Sequence, residues 1–465
     1  MNKTNSLLFE KKFGFETWPQ EKINKAFTFA EKYRRFISEC KTEREVVSWL
    51  AGEIKKQGFA EIASKSKSKS NVYGLNRGKS IILGRFGRQP LKNGIKIILA
   101  HIDSPRIDLK PTPLYESEKM AWFKTQYYGG IKKYQWPAVP LAIHGVISLV
   151  NGRNVSLCLG EEQSDTVFTI TDLLPHLSKK QMEKKMEEAV GGEEMNIIVG
   201  TVPTKTKKGK DGVKMGILEL LNKKYGITEE DLVSADLEIV PAGEARNVGF
   251  DGSLIGGYGQ DDRVCAYTAT MALLENTNLE NPSLVVLTDK EETGSESNTG
   301  AMSNFTVDFI SEMLYLEEGK HDENTLRDCL TLSKAISADV TVGFDPDYKD
   351  VFDPANTARI GAGIAIEKYS GRGGKYGTNE ATAEYLAQIR KVFNESHILW
   401  QTGGLGKVDE GGGGTIAMFL TRYNLDVIDA GPPILSMHSP FEISSKVDIY
   451  SCFEAYKAFF GSKIF

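Results

Sequence analysis

Short apolar runs that end abruptly at acidic or histidine residues recur along the chain. The run Ile95–Ala100 stops at a histidine, and the run Ser283–Thr288 stops at an acidic segment. Short apolar runs with polar boundaries are typical of buried strands. Apolar residues at helical spacing within Glu21–Lys56 predict two helices ahead of these strands, and strand and helix patterns alternate again beyond Gly243. The overall pattern predicts an α/β fold.

A different pattern occupies the middle of the chain. Apolar segments there are short and are broken by glycines and by the turn Asn151-Gly152, which predicts a series of short strands. The Lys- and Glu-rich stretch Leu177–Val190 predicts a solvated helix. We therefore predict a β-rich domain at residues 106–242, inserted into a domain formed by residues 1–105 and 243–465.

Composition narrows the class of protein. A chain of 465 residues is longer than one core usually supports, so two domains are expected. The net charge of −5 and the scattering of the basic residues along the sequence argue against a nucleic-acid partner. No apolar run reaches the roughly 18 residues of a membrane-spanning helix, and the N-terminal apolar stretch is too short for a signal peptide. The five dispersed cysteines lack a C-x-x-C pair, so we expect a cytoplasmic protein with no membrane partner.

The acidic segment after the second run is the first candidate for chemistry. Glu291 and Glu292 are neighbours, and on a regular strand their side chains would face opposite ways. They can converge on one site only if the chain has already turned, which Thr293-Gly294 favours. A metallohydrolase needs one carboxylate to hold a cation and a second to take a proton from the metal-bound water. The pair can divide these two roles.

Further oxygen and imidazole donors lie at the ends of other predicted elements, where ligands collect in open α/β sheets. They are His101 with Asp103, the neighbours Asp261 and Asp262, then Asp339, and finally His438. The i, i+2 spacing of the first pair points both side chains one way, so the histidine could bind a metal while the aspartate fixes its ring. One of the two neighbouring aspartates could bridge two cations, although spacing does not distinguish them. Such a set, without cysteine, suits zinc, cobalt or manganese.

Five segments, in this order, resemble motifs of the M18 metallo-aminopeptidases, the group of aspartyl aminopeptidase and aminopeptidase I. They are His101-x-Asp103-Ser-Pro, Gly259-Gln-Asp261-Asp-Arg263, Glu291-Glu292-Thr-Gly-Ser295, Ser337-Ala-Asp339 and Met437-His438-Ser439. The resemblance runs over nearly the whole chain, which is identified as a bacterial member. It implies a metallo-exopeptidase (phosphorylase/hydrolase-like) catalytic domain with a mixed sheet, interrupted by a β-rich dimerisation domain.

The resemblance also implies two divalent metal ions. Zinc is the metal expected first, and cobalt or manganese would also suit the donors. Asp261 would be shared between the ions. His101 and Asp339 would complete one site, and Glu292 and His438 would complete the other.

Three further residues take catalytic roles by the same resemblance. Glu291 would be the general base that deprotonates a bridging water, and Asp103 would orient His101. His176 is similar to a family histidine that reaches from the inserted domain into a neighbouring subunit's active site and stabilises the tetrahedral intermediate. The substrates implied are short peptides with a free N-terminus, and the assembly implied is a homo-oligomer of dimers, a dodecamer.

The sequence departs from the family pattern at one point. Many relatives carry a histidine shortly after the Ser-Ala-Asp motif, whereas here Asp339 is followed by Val-Thr-Val-Gly-Phe344, so the preferred N-terminal residue is not fixed.

Three alternative functions remain open. A related dinuclear enzyme, either an M42-like peptidase or an amidohydrolase, would suit the same donors. A non-catalytic, self-assembling binding protein is a second alternative. Nucleotide binding is disfavoured because no Gly-Lys-Ser/Thr segment follows the glycine clusters.

Overall fold

The apolar runs form strands in which every residue is buried. The computed structural model describes residues 7–62, 71–205 and 211–464. In it, the two runs supply the fully buried strands Lys96–His101 and Ser283–Thr288. Successive side chains of a strand face opposite sides, so Ile98 joins one apolar core and Ile97 the other. The sheet is therefore covered on both faces, as its continuous apolar strands require.

The described residues fall into two units. The larger unit draws on Met1–Asp103, Ala245–Met437 and Glu442–Phe465, and the inserted unit draws on Ser104–Glu244 and the short segment His438–Phe441. Helices and strands are numbered below in chain order.

Helices of the larger unit cover its main sheet. They are α1 Gly14–Thr17, α2 Gln20–Glu39, α3 Glu43–Lys56, α6 Gln260–Glu275, α7 Phe305–Glu318, α8 Glu323–Leu332, α9 Ala383–Glu395, α10 Ala417–Thr421 and α11 Lys446–Gly461. The prediction of two helices within Glu21–Lys56 is confirmed by α2 and α3.

Strands of the larger unit form three sheets over the described ranges. They are β1 Ala60–Glu61, β2 Val72–Asn76, β3 Ser80–Arg85, β4 Lys96–His101, β11 Arg246–Val248, β12 Leu254–Gly257, β13 Ser283–Thr288, β14 Lys334–Ser337, β15 Thr341–Val342, β16 Ile364–Glu367, β17 Gly371–Arg372, β18 Trp400–Thr402, β19 Gly412–Gly413, β20 Asp426–Gly431, β21 Pro433–Leu435 and β22 Glu442–Ser445.

The main sheet is mixed and, over the described residues, has nine strands in the order β1-β2-β3-β13-β4-β14-β20-β16-β18. Its four central strands, β13, β4, β14 and β20, run parallel to one another. Their carboxyl ends consequently meet at one edge, and the residues that follow them are brought close together.

A smaller sheet, in the order β11-β12-β22-β21-β15, carries the segment that leads into α6. Within it β12 pairs antiparallel with β22, so that Gly257 lies opposite Glu442. The remaining strands, β17 and β19, pair with each other.

The inserted unit is built on an antiparallel sheet with the order β8-β7-β10-β5-β6-β9. Its elements are β5 Arg106–Ser117, β6 Met120–Tyr128, β7 Leu141–Ser148, β8 Asn154–Leu159, α4 Lys179–Met182, β9 Ile197–Gly200, α5 Gly212–Tyr225 and β10 Ala235–Pro241.

The helix predicted for Leu177–Val190 is wrong in length. Only α4, Lys179–Met182, is helical, and turns follow it. The stretch offers no apolar stripe that packs on the sheet, since Met182 and Met186 are exposed. An isolated helix without tertiary packing is marginal in water, which accounts for the short element.

Two features bear on the compositional expectations. Within the described ranges, no helix has the length and apolar character that crossing a bilayer demands. All five cysteines carry free thiols, and only Cys158 is exposed.

The turn before α6 depends on Gly259. This residue has φ of 70°, and a Cβ atom built on it would lie 1.4 Å from Arg263 Nη2. The fully buried Arg263 donates from Nε to the Gly259 carbonyl and from Nη1 to the Cys40 carbonyl. Its guanidinium thus occupies the space that a side chain at position 259 would need.

We predict that Gly259→Ala lowers the free energy of unfolding by about 2–4 kcal/mol, which combines the cost of a left-handed non-glycine residue with lost buried hydrogen bonds. Gly252→Ala is the matched control, because Gly252 has φ of 61° but only Asn247 Cβ, at 3.8 Å, near its added Cβ. The control should lose only about 1 kcal/mol. Chemical denaturation measures both variants, and equal losses would contradict the steric account.

Candidate metal centre

Parallel strands deliver side chains to one edge of the main sheet. His101 is the last residue of β4, Asp339 follows β14 by two residues, and Glu291 and Glu292 lie in the 3-10 turn that follows β13. Asp261 joins them from the beginning of α6. Residues far apart in the sequence therefore meet where the strands end.

The two glutamates lie in a turn, as their sequence predicted. Lys290 has φ of 72° and Gly294 has φ of 96°, so the chain leaves the strand direction on both sides of the pair. One carboxylate oxygen from each glutamate lies within 4.8 Å of the other and of a His101 ring nitrogen. The turn thus lets neighbouring side chains converge, which an extended strand would prevent.

His101 stands at the middle of this group, with its side chain only 1% exposed. Its Nε2 atom lies 3.2 Å from Asp261 Oδ1, 3.9 Å from Asp339 Oδ1 and 4.0 Å from Glu291 Oε2. Donor atoms of His101, Asp261 and Asp339 also lie within 4.8 Å of one another. Carboxylates therefore surround one nitrogen of the ring.

The other ring nitrogen has a different partner. Nδ1 of His101 lies 3.1 Å from the backbone oxygen of Asp103 and 3.4 Å from its Oδ1. Because a carbonyl oxygen only accepts, Nδ1 carries the proton and donates it. In the neutral ring, Nε2 then presents its lone pair to the surrounding carboxylates.

The carboxylate of Asp103 has a second contact that its predicted role did not include. Its Oδ1 accepts the backbone N–H of Glu291 at 3.1 Å, and its Oδ2 accepts that of Glu292 at 3.2 Å. One buried side chain therefore ties the histidine to the glutamate turn.

The structure distinguishes the two neighbouring aspartates. Asp261 faces Nε2 of His101, whereas Asp262 Oδ2 accepts the backbone N–H of His101 at 3.3 Å. Both depart from helical backbone angles although they lie at the start of α6, and the peptide bond between them is cis. Asp261 thus faces the ring, while Asp262 supports the backbone of the strand end.

Burial and crowding perturb the charges of the group. Burial lowers the pKa of His101, but hydrogen bonds with Asp103 and Asp261 outweigh it and raise that pKa well above its usual range. Burial, followed by repulsion from Asp262, raises the pKa of Asp339 far above the ordinary value for an aspartate. The carboxylates therefore compete for the positive charge of one imidazole.

The donor set fits a divalent metal ion. A histidine whose Nδ1–H is donated to an oxygen, with its Nε2 facing carboxylates, has the arrangement found for metal-binding histidines and their supporting residues. A divalent cation among these atoms would offset the mutual repulsion of the carboxylates. The imidazole and carboxylate chemistry suits zinc, and it also suits cobalt or manganese.

Two predicted site residues belong to the inserted unit. His438 heads the segment His438–Phe441, and its Nδ1 donates to the carbonyl oxygen of Gly130 at 3.0 Å. His176 lies in an exposed turn. The structure brings six of the predicted residues together in the larger unit: His101, Asp103, Asp261, Glu291, Glu292 and Asp339.

Sequence reasoning missed one buried carboxylate next to this group. Glu442 Oε2 accepts the backbone N–H groups of Gln260 and Asp261, at 2.6 Å and 3.2 Å. No periodicity marks this residue, and the one available signal is its position four residues after His438.

The family profile described as aminopeptidase I zinc metalloprotease (M18) matches residues 36–460. The chain belongs to the M18 family. It is therefore a metal-dependent aminopeptidase, a hydrolase of the exopeptidase class, and the proposed resemblance is confirmed.

Individual M18 proteins are similar to the chain over nearly its whole length. The chain is 46% identical over 464 residues to the probable M18 family aminopeptidase 1 of Clostridium acetobutylicum, covering 98% of this chain and 100% of that protein. The crystal structure of the Thermotoga maritima M18 aminopeptidase superposes with a TM-score of 0.93 at 45% identity, covering 97% of this chain and 99% of that one. The mixed α/β fold is thus similar to M18 crystal structures.

A more distant solved structure has a similar fold. The structure of the S. cerevesiae mApe1 dodecamer has a TM-score of 0.74 at 21% identity, covering 93% of this chain and 96% of that one. At this identity the likeness shows the fold alone.

Proposed function

We propose that this M18 aminopeptidase releases N-terminal residues from peptides at a centre of two divalent metal ions, with Glu291 as the general base. Zinc is the metal expected first. The observation that supports the proposal is the convergence of Asp261, Asp339 and Glu291 on Nε2 of His101, with a carboxylate oxygen of Glu292 within 4.8 Å of a His101 ring nitrogen and of Glu291. By the family pattern, His101 and Asp339 would hold one ion, Glu292 and His438 would hold the other, and Asp261 would be shared.

His438 has a feature that suits a ligand. Its Nδ1 donates to a backbone carbonyl, that of Gly130, as Nδ1 of His101 does to that of Asp103. In both neutral rings, Nε2 is then the nitrogen with a lone pair, which is the tautomer that a metal ligand needs.

The metal ions, when bound, would polarise the scissile carbonyl and lower the pKa of a water molecule that they share. Glu291 suits the proton transfer, because its side chain is 19% exposed whereas that of His101 is 1% exposed. Its carboxylate would accept the proton of the attacking water and later pass it to the leaving amine. Asp103 would fix the His101 ring and, through the backbone N–H groups, the position of both glutamates.

We further propose that the larger unit is the catalytic domain and that the inserted unit mediates dimerisation. Apolar side chains are exposed along one stretch of the inserted unit: Val167, Leu173, Leu174, Leu177, Met182 and Met186. Clustered exposed apolar residues mark interaction surfaces, and a second copy of the chain would cover them. A dodecamer of such dimers would follow the assembly described for the yeast relative.

His176 would act within that assembly. It lies in the same exposed stretch, next to Leu177. By the family pattern, it would enter a neighbouring subunit's active site and stabilise the tetrahedral intermediate.

The base assignment predicts that Glu291→Gln lowers kcat by at least about 10²-fold, because an amide of the same shape cannot accept the proton. Zinc content, measured by elemental analysis, should remain that of the wild type. Glu296→Gln is the control, since Glu296 is an exposed carboxylate of the same loop, and its kcat should be unchanged. Wild-type turnover in Glu291→Gln would remove the base assignment.

An aminopeptidase should require a free substrate amine. We predict that N-acetylation of a dipeptide abolishes its turnover, whereas the free dipeptide is cleaved under the same conditions. Release of the acyl group from the acetylated substrate would instead favour the alternative amidohydrolase.

Action in a neighbouring subunit predicts complementation. Homo-oligomers of Glu291→Gln and of His176→Ala should each have low kcat. Mixed oligomers from co-expression should be more active than either, because a chain with an intact base can receive His176 from its neighbour. Activity of the mixture equal to the average of the two variants would show that His176 does not act across subunits.

A further inference from the structure

The start of α6 needs a hydrogen-bond acceptor from outside the helix. The first N–H groups of any helix lack intrahelical partners. Here Asp261 has φ of −77° and ψ of 110°, so the first turn is also irregular. A single oxygen, Oε2 of Glu442, accepts from both Gln260 and Asp261.

Glu442 is held firmly in place. It is 1% exposed and begins β22, where it pairs with Gly257 of β12. The side-chain amide of Gln260 donates to the Glu442 carbonyl at 2.6 Å and to the Ile255 carbonyl at 3.0 Å. Gln260 and Glu442 therefore bind each other reciprocally, each through its side chain to the other's backbone.

The position of this carboxylate has an electrostatic cost. It lies beside a segment that already contains Asp261 and Asp262, both buried. Burying a charge is unfavourable unless hydrogen bonds or opposite charges compensate. Bonds from N–H donors to an ionised carboxylate are about twice as strong as neutral ones, which favours glutamate over glutamine as the acceptor of two donors.

The consequence falls on Asp261, whose Oδ1 lies 3.2 Å from His101 Nε2. We propose that Glu442 is a positioning residue for the metal centre, which fixes the backbone of Asp261 so that its carboxylate faces His101. The inference rests on the proposed metal centre. Glu442 would hold the backbone of Asp261 in the same way that Asp103 holds the backbone of the glutamate turn.

Metal affinity tests the assignment directly. The full-length protein, stripped of metal with a chelator, is titrated with Zn²⁺ against a chromophoric competitor and with Co²⁺ while its visible absorption is recorded. Loss of a residue that supports a metal ligand typically weakens metal binding about 10–100-fold, and we expect Glu442→Gln to do so. Its Co²⁺ spectrum should also differ from that of the wild type.

Asp448→Asn is the matched control. Asp448 is likewise a fully buried carboxylate that accepts two backbone N–H bonds, from Gly361 and Gly363 at 2.7 Å and 2.6 Å. It should lower the melting temperature but leave the metal affinity and the Co²⁺ spectrum at wild-type values. If both variants weaken metal binding equally, the effect is general destabilisation and the assignment fails.

A second variant covers the case in which Glu442→Gln does not fold. Glu442→Asp keeps the charge but withdraws it from the N–H groups, so its metal affinity should fall below that of the wild type. Wild-type affinity in the folded variants would overturn the positioning role while leaving the metal centre intact. A wild-type protein that binds neither ion would instead contradict the proposed function itself.

Discussion

The structure of this site depends on holding several carboxylates around one imidazole, away from bulk water. Asp261, Asp339 and Glu291 all face Nε2 of His101, and their side chains are only 5%, 12% and 19% exposed. Like charges at such distances repel strongly where water does not screen them. Hydrogen bonds to the neighbouring main chain hold the segments that carry these groups in place.

Backbone N–H groups supply much of the compensation. Asp103 accepts from the glutamate turn, Asp262 from the end of β4, and Glu442 from the start of α6. These three carboxylates bind main chain, so they fix the segments that carry the proposed ligands. The ligand side chains can then keep their oxygens directed at His101, and a divalent ion can bind among them with little rearrangement.

Sequence patterns predicted the parts of this arrangement that depend on periodicity and local turns. The apolar runs gave the buried strands, and adjacent glutamates followed by Thr-Gly gave the turn. Resemblance to one family was needed to choose Asp261 over Asp262, because neighbours share the same local pattern. Glu442 was missed because its function arises from the pairing of β12 with β22, which is a tertiary contact. The helix predicted for Leu177–Val190 was too long for a related reason, since helical length depends on packing that the local sequence does not reveal.

The apolar core explains how the larger unit tolerates so much charge at one edge. Strands β4 and β13 are buried along their whole length, and their stability comes from apolar residues on both faces of the sheet. The crowded carboxylates lie beyond the ends of β13 and β14 and at the start of α6. A metal ion there would join segments from β4, α6 and β14 that the sheet has already brought together, so its binding free energy would mainly offset charge repulsion at this edge. The same separation lets the acidic edge be specialised for chemistry without weakening the core that positions it.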